Sequence, residues 1–176
     1  MRILKRLFLG LAALAVLLVA GAYLLPRKVH LERNIAIAAP PAAVFAHLND
    51  LRKHSDWSPW EKMDPSMKLT FTGPDSGVGQ KSAWESKEMG SGSQQIVESV
   101  ENEKLATELD FGEMGTAQAF FLLSPEGGNT RVTWGFDTDL GMNPMSRWFG
   151  LMFEKWIGTD YEKGLSNLKQ VVESGK

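Results

Sequence analysis

The chain has 176 residues, enough for one domain of about 150 residues with its own core, plus an appendage. It has no cysteine, which excludes disulfides, thiol nucleophiles and cysteine-held metals. Three of its nineteen basic residues (Arg2, Lys5, Arg6) precede a long apolar segment and all twenty-one acidic residues follow it; the part from Arg27 onward is acidic, which argues against nucleic acid and against electrostatic adhesion to anionic lipid.

Residues 1–6 read as a short basic tail. Residues 7–25 carry no charge, and as a helix they would span about 28 Å, close to the hydrocarbon core of a bilayer. A single membrane anchor is expected here. A signal peptide competes, because Ala20-Gly21-Ala22 fits a small-x-small cleavage pattern, although the apolar run continues past it through Leu25. The basic residues on the two sides nearly balance; the short tail inside and the domain on the extracytoplasmic side is the mild preference.

The domain, residues 29–173, opens with an alternating strand. Val29, Leu31, Ile35 and Ile37 share a side, on which Arg33 is the exception. Pro40-Pro41 ends it, and Ala42, Val44, Phe45 and Leu48 have the spacing of a short helix begun by Pro41. Leu51 to His54 suits a further turn, and Trp57-Ser58-Pro59-Trp60 reads as two tryptophans around a proline turn. Six strands follow, at 68–72, 80–86, 93–100, 105–111, 116–123 and 130–140, separated by turn residues such as Pro125-Glu126-Gly127-Gly128-Asn129. Asn143-Pro144 then caps a last helix running to Val172. Its second half is amphipathic through Tyr161, Leu165, Leu168 and Val172. Its first half is apolar nearly all round, so it needs more than one partner. Gly150, Gly158 and Gly164 within it suit close packing or a bend. Seven strands and one long helix exclude a doubly wound α/β fold. A curved antiparallel sheet wrapped around the long helix fits, an α+β arrangement that encloses space between the two.

Several pieces carry a family resemblance: Ala39-Pro40-Pro41-Ala42-Ala43-Val44-Phe45, Trp57-Ser58-Pro59-Trp60-Glu61, Gly73-Pro74 through Gly77-Val78-Gly79, Trp84-Glu85, Thr130-Arg131-Val132-Thr133-Trp134, and Asp160-Tyr161-Glu162-Lys163-Gly164 through Lys169. Over residues 29–172 the chain resembles the START-like, Bet v 1-like (SRPBCC) superfamily, more narrowly its bacterial polyketide cyclase/dehydrase and lipid transport group. The resemblance implies a helix-grip fold and a hydrophobic small molecule as partner. It implies no catalytic motif that carries over residue by residue.

Candidate sites follow. His30, His47 and His54 have no metal-ligand spacing, so no metal is expected. His54 with Asp56 suits a surface pair or a pair at a pocket mouth. Gly73 to Ser82 has its lysine misplaced for a phosphate loop and joins two strands, so no nucleotide or other cofactor is expected. No serine sits in a nucleophile elbow. Glu85 is a weak candidate acid, should it point inward, and Glu98 shares that condition. The stronger signal is aromatic: Trp84, Trp134, Phe136, Trp148, Phe149, Met152 and Trp156 fall on the inferred concave face or the covering helix. They either line a ligand cavity or fill a core.

Three readings remain open. The first is a non-enzymatic module, tethered by residues 7–25, that holds a lipid-like ligand. The second is a cyclase or hydratase using the same cavity and Glu85. The third is an interaction module presenting Trp57, Trp60 and the Trp148–Trp156 surface to a protein or a bilayer; no particular protein partner can be named.

Overall fold

The computed structural model describes residues 2–175. It begins with helix α1 (Arg2–Ala22), joined by five residues to strand β1 (Lys28–Ile37). Helix α2 (Pro41–Leu48), a 3-10 turn at Leu51–Lys53 and two short helices, α3 (His54–Trp57) and α4 (Pro59–Met63), come next. A meander then runs through β2 (Lys68–Thr72), β3 (Lys81–Ser86), β4 (Gly90–Val100), β5 (Lys104–Asp110), β6 (Thr116–Glu126) and β7 (Asn129–Asp139), and helix α5 (Pro144–Glu173) closes the domain. The seven strands form one antiparallel sheet in the order β1-β7-β6-β5-β4-β3-β2. The curved antiparallel sheet around a long helix expected from the strand and helix order is observed, and with it the α+β helix-grip fold that the resemblance implies.

Local chemistry explains the boundaries. Gly127 and Gly128 both have positive φ (54° and 93°), the requirement of a two-residue hairpin turn matched to sheet twist. The expected five-residue turn is therefore shorter, and β6 and β7 pair out to Glu126 opposite Asn129. Between α2 and β2, the expected proline turn is instead α3 and α4, with Pro59 at the first position of α4. At the start of α5, the Asn143 side chain accepts a hydrogen bond from the Met145 N–H (2.9 Å), which satisfies one of the free amides of the first turn.

Helix α5 is one uninterrupted helix, so its glycines serve packing. A Cβ on Gly150 would meet Leu140, one on Gly158 the Arg33 guanidinium, and one on Gly164 the Trp134 ring (2.7 Å) and Pro59 (3.3 Å). Arg33, the charged residue on the apolar side of β1, lies opposite Trp134 in the sheet. It escapes burial by passing under Gly158 to bond Glu154 (2.7 Å) and Glu162 (2.7 Å) on α5. The exception in the alternation is thus a clasp between sheet edge and helix.

Helix α1 is the one helix among the described residues long and apolar enough, over Ile3–Ala22, to cross a membrane. Its side chains are largely exposed. It takes in part of the expected basic tail and stops at Ala22, three residues short of the expected end.

Candidate functional site

Alternation decides what reaches the interior. On the inner face of the sheet, Phe121, Trp134 and Phe136 are buried, as are Leu105 and Thr107 one strand further on. Trp134 is the hub. Its ring stacks on Tyr161 of α5 (3.7 Å between centroids) and on Phe121 (4.9 Å), and meets Trp57 (5.4 Å) and Trp60 (5.7 Å) edge to face. The space expected between sheet and helix is therefore filled on the β1, β7 and β6 side. Trp57, read above as a possible contact surface, is 1 % exposed and belongs to this core. Burial pushes the Tyr161 phenol above its ordinary value, so it stays neutral. The buried Nε1 of Trp134 has no hydrogen-bond partner, nor has Nδ1 of His47.

The other side is different. Helix α5 packs chiefly on β1 and on the helices around it. Of the inward residues on β2–β5, Ser82, Ile96, Leu105 and Thr107 are buried, but Leu69, Phe71, Trp84, Gln94 and Leu109 stay only partly covered, with Phe111 just beyond β5. Leu69 sits opposite Trp84, and Gln94 opposite Leu109. Trp84 meets Phe111 edge-on (5.8 Å) and lies across β4 at Gly92, where a Cβ would collide with the indole. Gln94 Nε2 donates to Thr107 Oγ1 (3.0 Å), whose hydroxyl turns to the Ala119 carbonyl (3.4 Å). The result is a partly exposed apolar strip of the concave face, hereafter the trough, with Gln94 and Thr107 as a short polar line in it. On the α5 side it is approached by Phe153, which packs on Phe136 (6.3 Å).

The seven aromatic and methionine candidates do not converge. Trp134 and Phe136 are core, and Trp84 stands at the trough. Trp148, Phe149, Met152 and Trp156 are 38 to 48 % exposed on the outer side of α5. Glu85 is exposed and faces away from the trough, opposite Lys68; Glu98 pairs with Lys104 (2.7 Å). Neither carboxylate reaches the trough, which corrects the inward option. The carboxyl whose acidity the fold weakens is Glu61 on α4, raised mainly by burial. Phe71, Gln94, Leu109 and Phe111 were not among the candidate site residues; their shared inward phase with Ile96 and Leu105 was the available signal.

His54 is not paired with Asp56. Its Nε2 bonds the Leu48 carbonyl (2.9 Å) and its ring packs on Trp57 (4.7 Å). Burial pushes its pKa from 6.5 down to about 4, so the folded state holds it neutral. Its contribution to stability is complete above pH 6.5 and is lost as pH falls from 6.5 towards 4, where only the unfolded chain gains the proton. Stability is expected to drop by roughly 2 kcal/mol over that window through this group. Urea unfolding at stepped pH should show a shallower drop in His54→Gln, which keeps a donor for Leu48 and does not titrate.

Two hollows are present, one between the start of β1 and α5 and one along α1. The first, of about 210 Å³, is lined by Pro26, Lys28, Val29, His30, Arg147, Gly150 and Leu151. The second follows α1 itself, from Ala15 to Tyr23. Among the described residues no group of three His, Asp or Glu side chains is placed to hold a metal ion.

A curved antiparallel sheet gripping one long C-terminal helix defines a helix-grip protein. The chain belongs to the polyketide cyclase/dehydrase and lipid transport family, which matches residues 28–173. Solved structures share the fold at low identity. The Aha1 dimer from Colwellia psychrerythraea is 18 % identical with a TM-score of 0.61, over 84 % of this chain and 98 % of that one. Protein CV1439 from Chromobacterium violaceum is 17 % identical (TM-score 0.58, 84 % and 99 %). Ara h 8.0201 is 13 % identical (TM-score 0.57, 84 % and 99 %). Among curated protein sequences none matches.

Proposed function

We propose that the chain is a membrane-tethered binding module, with residues 7–25 as tether, residues 29–173 as domain, and a hydrophobic, lipid-like small molecule held in the trough. The observation that carries this reading is the uneven cover of α5, which leaves Leu69, Phe71, Trp84, Leu109 and Phe111 facing inward yet only partly buried. Burying such surface against a ligand yields about 25 cal/mol per Å². Gln94, only partly buried and held by Thr107, is the polar side chain available to orient a ligand oxygen. Membership of a family described by lipid transport supports the choice of ligand class. The basic residues in the first turns of α1, nearly balanced by Arg27, Lys28 and Arg33 beyond it, mildly favour the domain on the extracytoplasmic side.

The test is titration of the full-length protein in detergent with a fluorescent fatty acid, beside mass spectrometry of what co-purifies. Trp84→Ala is expected to weaken binding about tenfold, equivalent to about 1.4 kcal/mol, with little loss of stability because the ring is only partly buried. No co-purifying lipid and no saturable binding by the wild type would overturn the proposal.

A further inference from the structure

We infer that the outer face of the first half of α5 lies in the bilayer surface, as a second membrane contact beside the one made by α1. The inference rests on the reading of α1 as a membrane span. Three observations carry it.

The first is depth. The Trp148 indole N–H donates to the Leu18 carbonyl (3.1 Å), and its ring lies against Gly21. Leu18 is four residues before the end of α1, or about 6 Å at 1.5 Å per residue. A side chain that touches a spanning helix one turn inside its end is at headgroup level or below, the depth at which tryptophan is enriched.

The second is composition. Met145, Phe149, Met152 and Trp156 recur at i, i+4, i+7 and i+11, one stripe along the helix, and are 63, 48, 44 and 46 % exposed. Between Asn143 and Phe153 the only charged residue is Arg147, and it is buried. The outer surface of these turns is therefore uncharged as well as apolar.

The third is rigidity. The connection from α1 to β1 is not slack. Tyr23 donates from its hydroxyl to the Met142 carbonyl (3.2 Å), and the Leu140 N–H donates to the Arg27 carbonyl (2.9 Å). Arg147 reaches the carbonyls of Gly141 (3.0 Å), Tyr23 and Leu25 (both 3.5 Å), with its guanidinium over the Tyr23 ring (5.1 Å). A domain held in this way cannot lift its α5 clear of a membrane that α1 crosses. The stripe also lies on the flank of α5 opposite Glu154, Gly158 and Glu162, which reach edge strand β1.

The absence of cysteine makes single-site labelling clean. Met145→Cys, Met152→Cys, Val16→Cys and Gln170→Cys, each in the full chain, carry a nitroxide in phosphatidylcholine vesicles. Accessibility to oxygen is compared with accessibility to a water-soluble nickel complex. Positions 145 and 152 should follow position 16 in favouring oxygen, while 170 favours nickel. The contact being apolar, the pattern should be unchanged in high salt. Labels at 145 and 152 that favour nickel while 16 favours oxygen would overturn the inference and leave the tether standing. Nickel preference at 16 as well would remove the tether and the inference together. Labels at 145 and 152 shielded from both reagents, with spin–spin broadening, would assign the stripe to a second copy of the chain and overturn the inference too.

Discussion

Trp134→Ala lowers stability by about 3–5 kcal/mol, the cost of leaving a large void in a packed core, whereas Trp156→Ala costs about 1 kcal/mol or less. Trp134 is 4 % exposed and touches four aromatic rings, and one face is pressed on Tyr161 too closely for neighbours to collapse into the gap. Trp156 is 46 % exposed and makes none of these stacks. Against a total stability of about 5–15 kcal/mol, the first change threatens folding and the second does not. Urea unfolding of the full chain in mild detergent, followed by near-ultraviolet circular dichroism, measures both. Equal losses would mean that Trp156 is packed inward.

Gln80→Leu is expected to cost about 2–4 kcal/mol although it conserves volume, because it strands buried polar groups. Gln80 is fully buried just ahead of β3. Its Oε1 accepts from the Leu51 N–H (2.7 Å), and its Nε2 donates to the Asp50 carboxylate (2.9 Å) and to the Asp75 carbonyl (2.8 Å). One amide thus ties the turn after α2 to the β2–β3 connection. Partial burial works to raise the Asp50 pKa, but the Gln80 amide and the Arg52 N–H outweigh it and hold the carboxylate below its ordinary value. Gln80→Glu keeps the acceptor for Leu51 but sets a second carboxylate against Asp50. Its loss should therefore grow more steeply as pH rises through the carboxylate range than that of Gln80→Leu, which removes the amide bond to Asp50 but adds no second charge. Urea midpoints at pH 5 and 8 distinguish the two.

Much of the fold was legible because period-two alternation and turn residues are local signals. The β1 phase, the capped start of α5 and the order of the strands all rest on such signals. What failed was the assignment of partners. Trp148, Phe149, Met152 and Trp156 were apolar enough to line a cavity, but periodicity states that a face is apolar and not what covers it. The inward option for Glu85 conflicted with that for Trp84, because adjacent strand residues point to opposite faces. The α3–α4 pair hid in Trp57-Ser58-Pro59-Trp60 because helices of four and five residues leave no period to detect. Filled core and open trough on one concave face differ only in where α5 crosses the sheet, which is a long-range fact.

The Arg147 clamp has a consequence for encounter rates. A free five-residue connection would let the domain range over about 12 Å and turn through many orientations. Pinned through Tyr23 and Leu25, it keeps one attitude. Under the proposed tether and ligand, capture would become a search in two dimensions: an apolar molecule diffusing laterally in the leaflet would meet a trough always presented the same way. The stiffness of the joint would then act on the effective concentration of trough at the membrane, with no change in its intrinsic affinity.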